Sequence, residues 1–516
     1  MTRPSTRSRH CQGAQLRSPL RLGTVQAGHS EGLANDGCMN SRGIRSLSAG
    51  VVVALVLASV AVSGAPLETH KGQAHSHTLP ASVPFLQTAK AIDLGPPGSE
   101  VVVDRKGLRL TAHHTGQASW EPTIGTTESG DLYATAWKSF VQPDVFRSTD
   151  RGESWTEVSP GNGNGVSMDP YLFTDENRVF NLDAYALTCG VMSFSDDGGT
   201  SWLTNPVACG TVVSDHPSAF AGPPVSSTPV GYPKVIYVCD YRPFGLRSTV
   251  YCSKSVTGGL TFTPTGDPVF PVVGNDPCTA LTGHGVAGRN GAIYIPRVTP
   301  CGPELAVSTD EGSTWRVIAL PNGPGTSGDH EASVAVDGRG NVFYMWIGAD
   351  RLPYLTVSTD GTKSFSRPRM IAPHSVTEAN MPALSVNAKG HLVMAYVGST
   401  NAPPIMDESP QPCGNASTEC PASPAYRDVT WNGYVSVSRA PTSPSSRFQT
   451  HTINPANDPI DDEACGPGRC FPIGDFIDVT SGPDGTFWAA FLDGCSMTTC
   501  VDAYGAELLI VEIETD

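Results

Sequence analysis

Apolar and polar residues recur along this chain in short runs, each opened by turn residues. The first clear run is Gly130-Asp131-Leu132-Tyr133-Ala134-Thr135-Ala136-Trp137. Asn177-Arg178-Val179-Phe180, Lys234-Val235-Ile236-Tyr237, Gly291-Ala292-Ile293-Tyr294, Gly340-Asn341-Val342-Phe343, Gly390-His391-Leu392-Val393 and Gly485-Thr486-Phe487-Trp488 repeat it. β-branched and aromatic residues dominate, and most runs alternate, which predicts strands. Recurrence at blade-like spacing predicts a single all-β propeller with four-stranded antiparallel blades. Seven copies give seven blades, roughly 117–160, 166–208, 213–272, 276–320, 328–372, 378–452 and 470–512. Six blades is the alternative, with one repeat absorbed as an irregular connection. The last blade shows only three strands, ending at Ala506–Glu512, so Ala89–Leu94 or Glu100–Leu110 is expected to supply the fourth. Such closure removes sheet edges that would otherwise invite aggregation.

A second repeat follows the first. Ser148-Thr149-Asp150-Arg151-Gly152-Glu153-Ser154-Trp155 reads Ser-x-Asp-x-Gly-x-Ser-Trp. Ser195–Trp202 and Ser308–Trp315 repeat it, and Ser255–Phe262 and Ser358–Phe365 are degenerate copies. The chemistry is that of a turn: Asp accepts backbone N–H bonds, Gly supplies a left-handed residue, and the aromatic plugs the sheet. The motif resembles the Asp-box (BNR) repeat of the sialidase-like β-propeller superfamily. In that family the box joins the third and fourth strands of a blade, away from the catalytic face. The resemblance therefore implies structural roles for Asp150, Asp197 and Asp310. It also implies an Arg-Ile-Pro motif, three carboxylate-binding Arg, an Asp acid/base and a Tyr–Glu nucleophile pair in a true sialidase. This chain departs from that pattern. Trp120-Glu121-Pro122-Thr123-Ile124 stands before the first box, Ile295-Pro296-Arg297 has the residues in another order, and no Tyr–Glu pair can be assigned.

Composition narrows the setting. The formal net charge is −16, which disfavours nucleic-acid and anionic-membrane partners. Arg42 and Arg45 precede the apolar run Ala49–Val62 and the small residues Ser63-Gly64-Ala65. This reads as a signal peptide within an N-terminal extension, 1–65, whose start could be Met39; a signal anchor is the rival reading. Residues 66–88 read as a flexible leader and 89–516 as the propeller. Twelve cysteines follow the signal, in six close pairs such as Cys239–Cys252, implying disulfides and a secreted protein with no membrane span after cleavage. Asn401–Arg427 reads as a surface insertion carrying the sequon Asn415-Ala416-Ser417.

Candidate chemistry falls in two groups. Glu121, Asp169, Asp215, His216, Asp329, His330, Glu331, Asn380 and Asp475 stand at the starts of the expected innermost strands, where they could converge on the channel mouth and bind substrate. Strand-end capping is the plainer account of any one of them. Aligning the second strands places Asp183, Asp240 and Arg297 at one position of successive blades. Two carboxylates near an Arg could act as catalytic acid and base, or the three could form an inter-blade salt bridge. No metal site or cofactor is expected, although Asp458–Glu463 could hold a structural Ca²⁺. The expected function is a monomeric, secreted propeller that acts on or binds extracellular glycans, including glycoside hydrolysis. The alternative is a non-catalytic propeller binding a protein, peptide or glycan.

Overall fold

Strands that alternate toward two neighbours, rather than toward core and solvent, are apolar on both faces. Val342–Ile347 and Leu392–Ser399 are buried at every position, as a blade's second strand must be. The computed structural model describes residues 99–516 apart from 106, 137–143, 161–168, 186–188, 210–214, 243–248, 271–280, 324, 326–330, 403–428, 457, 461–474 and 495–505. Met1–His75 and Ser76–Asp516 are separate units, and the first lies outside the described residues, as do the expected signal segment, the leader and the sequon.

The chain forms a seven-bladed β-propeller of antiparallel blades, with no helix among the described residues. The innermost strands are Thr123–Thr126, Tyr171–Asp175, Asp215–Gly222, Val286–Ala287, Ser333–Val336, Glu378–Val386 and Asp478–Ser481, for blades one to seven in turn. Each touches the next, and the seventh touches the first. Six blades have four strands. In the seventh, Leu108–Ser119 pairs with Ala506–Thr515 as the fourth strand, and Ser99–Arg105 adds a fifth. The closing strand therefore overlaps the expected Glu100–Leu110 but runs further along the chain.

Apolar cores fill the junctions between blades. Phe180 and Leu182 of blade two meet Ile236 and Val238 of blade three. Tyr237 and Cys239 meet Ile293 and Ile295 of blade four. Polar bonds at or beside the innermost strands tie neighbouring blades at several junctions. The Leu172 amide donates to Thr123 Oγ1 at 2.8 Å, Gly285 to Ser218 Oγ at 3.1 Å, Leu384 to Ser333 Oγ at 3.1 Å, and Ile124 to Asp478 Oδ2 at 3.1 Å. The Cys239–Cys252 disulfide joins paired residues of adjacent strands in blade three, and Cys301 is also disulfide-bonded.

The second sequence repeat folds as one turn, five times over, between third and fourth strands. In blade two, Ser195 Oγ donates to Asp197 Oδ1 at 2.9 Å and accepts from the Gly199 amide at 2.8 Å. Asp197 in turn accepts the Ser201 amide at 2.8 Å and hydroxyl at 2.6 Å. Asp150, Asp310 and Asp360 repeat this set, and Thr257 reproduces it with a hydroxyl. Two consecutive left-handed residues follow each acidic or Thr residue. Gly199, at φ 86°, is the second in blade two, and a Cβ there would meet Val158 at 2.6 Å.

A basic side chain crosses every blade junction on this turn face. Arg147 donates to the Gly198 carbonyl at 3.2 Å, and Arg178 to the Gly258 carbonyl at 2.9 Å. Lys254 meets Glu311 at 2.7 Å, and Arg316 meets Thr362 Oγ1 at 2.6 Å. Arg369 reaches the Pro441 carbonyl at 2.9 Å and Arg439 the Asp516 carbonyl at 2.9 Å. Arg151 closes the ring from blade one to Asp484 of blade seven at 3.0 Å.

Candidate functional site

The opposite ends of the innermost strands are built differently. Glu121, Asp169, His216 and Met381 each precede a proline and each lies in the left-handed region, at φ 53°, 46°, 45° and 54°. For a residue with a Cβ this conformation costs about 1–3 kcal/mol, and such strain collects at functional sites. In blades one and three, the residue two places on is a hydroxyl that receives the inter-blade bond, Thr123 and Ser218. The strand is thus fastened immediately behind the strained residue, which fixes where the side chain at the mouth is placed.

Two of these residues, Asp169 and His216, meet at the axis. His216 is buried, and its Nδ1 hydrogen-bonds Glu331 of blade five. Its Nε2 lies 3.5 Å from Asp475 Oδ2 at the start of blade seven and 4.0 Å from Asp215 Oδ1. Its amide donates to Asp169 Oδ2 of blade two at 3.4 Å. The imidazole thus gathers carboxyl groups from blades three, five and seven across the propeller axis, and the His216 backbone adds that of blade two. Burial opposes its charge, but Glu331 and Asp215, with hydrogen bonds donated by the ring to Asp475 and Glu331, outweigh that and hold it protonated well above the ordinary range. Burial pushes the Asp169 carboxyl up to about 7, helped by the negative charge and hydrogen bond of Asp215.

An aromatic layer lies beneath. The Phe476 ring stands 6.3 Å from His216 and 5.0 Å from His284, edge to face, and His284 stands 4.5 Å from Tyr171. Below runs a channel cavity of about 330 Å³ that all seven innermost strands line, with Glu331 and Asp475 on its wall. Asp478, its carboxyl raised by burial, faces the same space.

Of the expected mouth residues, Asp169, Asp215, His216, Glu331 and Asp475 are brought together. Glu121 is buried at the start of blade one, and Asn380 is buried in the innermost strand of blade six. Asp329 and His330 lie outside the described residues, as do Asp461, Asp462 and Glu463 of the expected Ca²⁺ loop. Among the described residues, no group of three or more His, Cys, Asp or Glu has the arrangement to hold a metal. His284, Tyr171, Phe476 and Met381 were missed. The prolines at 122, 170, 217 and 382 were the signal that would have aligned the strand starts and found Met381.

Asp183, Asp240 and Arg297 do not form one constellation. Strand alternation sets Asp183 on the side of Val179, toward blade one, and Asp240 on the side of Ile236 and Val238, toward blade two. Arg297 shares the side of Ile293 and Ile295, toward blade three, where it lies 4.0 Å over Phe270. Each faces a different junction. Asp240 accepts Arg242 Nε at 2.7 Å, and Arg297 donates to Glu304 at 3.1 Å across its own hairpin.

No family model matches the chain. Over 195 residues it is 30% identical to the xyloglucanase Xgh74A of Acetivibrio thermocellus, a match covering 33% of this chain and 21% of that protein. The chain thus spans about a fifth of that relative's length. Among solved structures, a protein of unknown function from Dyadobacter fermentans aligns over 81% of this chain and 98% of its own, at 12% identity and a TM-score of 0.41. An α-L-arabinanase of Penicillium chrysogenum complexed with arabinobiose aligns over 76% and 93%, at 12% identity and a TM-score of 0.38.

Proposed function

We propose that this chain is a secreted glycan-directed propeller that hydrolyses glycosidic bonds at its channel mouth. The observation that carries the reading is the convergence of Asp169, Asp215, Glu331 and Asp475 on His216. Glycoside hydrolysis needs one carboxyl group that holds a proton and another that has lost it. The raised Asp169 carboxyl meets the first need near neutral pH, and a carboxylate held beside an imidazolium meets the second. The partial match to a xyloglucanase supports a glucan as the substrate class. The apolar run Ala49–Val62 and the Cys239–Cys252 disulfide support an oxidising, extracytoplasmic setting.

The test is a screen of the purified chain on xyloglucan, other plant and bacterial polysaccharides, sialosides and aryl glycosides. Turnover on a glucan that His216→Asn and Glu331→Gln abolish, with Tm retained, is the expected result. Saturable glycan binding with no turnover would instead establish a binding module. Neither binding nor turnover on any glycan would refute the reading.

A further inference from the structure

Resting on the glycosidase reading above, we infer that Asp169, backed by Asp215, is the proton donor to the leaving group, with Asp475 as the carboxylate that activates water. Position and bonding single these groups out from the other acids at the mouth. Glu331 is bound directly to His216 Nδ1 and completes an ion pair. Asp475, like Glu331, borders the cavity and hydrogen-bonds the imidazole, but it stands further from the ring, at 3.5 Å. Asp169 differs from both. Its carboxyl hydrogen-bonds another carboxyl, that of Asp215, and such a contact requires a shared proton. The groups facing it among the described residues are Asp215 and His216 at the start of blade three and Asp475 at the start of blade seven. Two of these three are acidic, so the proton is retained where a free carboxyl would have lost it.

Backbone geometry holds the donor in place. Asp169 sits in a left-handed conformation before Pro170, and its Oδ2 accepts the His216 amide at 3.4 Å. His216 is itself left-handed before Pro217. The carboxyl is therefore held from two adjacent blades, in the manner a donor needs if its proton is to meet one oxygen of a bound sugar. In the reaction, the anomeric C–O bond breaks as the Asp169 proton passes to the departing oxygen. A water oxygen bonds to the anomeric carbon and its proton passes to the Asp475 carboxylate. Exchange with solvent moves one proton off Asp475 and one onto Asp169, restoring the starting state.

The experiment compares wild type, Asp169→Asn and Asp215→Asn on an unactivated glucan oligosaccharide and on its dinitrophenyl glycoside. A missing proton donor matters little when the leaving group departs unaided. Asp169→Asn should therefore lose on the order of 100-fold or more in kcat on the oligosaccharide and only a few-fold on the dinitrophenyl glycoside. The alkaline limb of its kcat/KM profile should disappear. Asp215→Asn removes the neighbouring negative charge, so its alkaline limb should move to lower pH. Equal losses on both substrates with an unchanged limb would reduce Asp169 to a structural residue and overturn the assignment. If Asp169→Asn fails to fold, an unmoved limb in Asp215→Asn overturns it alone. A wild-type chain that cleaves neither substrate removes the glycosidase reading and this assignment together, whereas normal turnover in Asp169→Asn removes only the assignment.

Discussion

The two faces of this propeller use charge in opposite ways. On the turn face, charge is spread around the ring, one basic side chain to each junction, and every cation ends on a carbonyl, hydroxyl or carboxylate of a neighbouring blade. At the mouth, charge is gathered at the axis, where a single imidazole faces carboxyl groups from several blades. Backbone strain follows the same division. The first left-handed residue of the turn is Gly198, Gly258 and Gly361 in three blades but Arg151 and Glu311 in the other two, and both of these cross a junction. At the mouth, four residues with a Cβ adopt that conformation and none is replaced by glycine. Strain on the turn face is tolerated where a strap needs a side chain. Strain at the mouth sits on residues that precede a proline, Asp169 and His216 of the axial cluster among them, whereas Asp215, Glu331 and Asp475 reach the same cluster without it.

Glu311→Ala should break the turn face most severely. The side chain is fully buried and accepts the amides of Val225, Ser226 and Ser227 at 2.7, 2.8 and 2.9 Å, besides the Lys254 ammonium. Burial opposes its charge, yet Lys254 and the Ser227 hydroxyl hold the carboxyl far below its usual range. Its removal strands a cation and three amides, and should cost about 3 kcal/mol in urea unfolding. Arg178→Ala should follow. That guanidinium makes two 2.6 Å bonds to Asp196 and lies 4.4 Å from both the Phe194 and Tyr232 rings, so the loss should be about 2 kcal/mol. His216→Asn also removes a buried cation, but its carboxyl partners can take up protons as Asp169 already does, so it should cost less than either while abolishing the proposed glycan turnover. A stability loss larger than that of Glu311→Ala would show that the mouth cluster is scaffold and dissolve the contrast between the faces.

The turn face was legible in the sequence because its bonds are local. Ser148, Asp150 and Ser154 bond within one eight-residue motif, so the pattern that makes the turn is also the pattern that repeats. The blade limits were legible for the same reason, since a hairpin and its turn lie side by side in the chain. The mouth was half legible. Polar residues at strand starts were visible one by one, but His216 and Glu331 are 115 positions apart, and only the closed ring makes them neighbours. Asp183, Asp240 and Arg297 show the limit of alignment. They do occupy matching sides of successive strands, each facing the blade before it. In a ring, matching sides turn away from one another, so equivalence of position separated the three rather than joining them. The aromatic layer of Tyr171, His284 and Phe476 follows no shared residue type and left no periodic trace.

The subtlest contrast between the faces is in their response to pH, because their carboxyl groups are displaced in opposite directions. On the turn face, hydroxyl and amide bonds from Ser201 and Ser195 lower Asp197 to about 2, and those of Ser364 lower Asp360 to about 2. A carboxyl lowered by folding adds stability that is complete above its unfolded value near 3.8 and is lost as pH falls toward 2. At the mouth, Asp169 is raised from 3.8 to about 7, so the folded chain binds the extra proton between those values and stability declines as pH rises through that window. His216 acts in the same sense further up: its contribution is complete below 6.5 and is lost as pH rises through its raised folded value. Thermal unfolding followed from pH 2 to 8 should therefore climb through the acid range and then fall away. Asp197→Asn with Asp360→Asn should flatten the climb and leave the decline. Asp169→Asn should flatten the decline between pH 4 and 7 and leave the climb. A variant on one face that altered the limb belonging to the other would mean that the two faces do not titrate independently, and the division of charge between scaffold and site would fail as an account of this molecule.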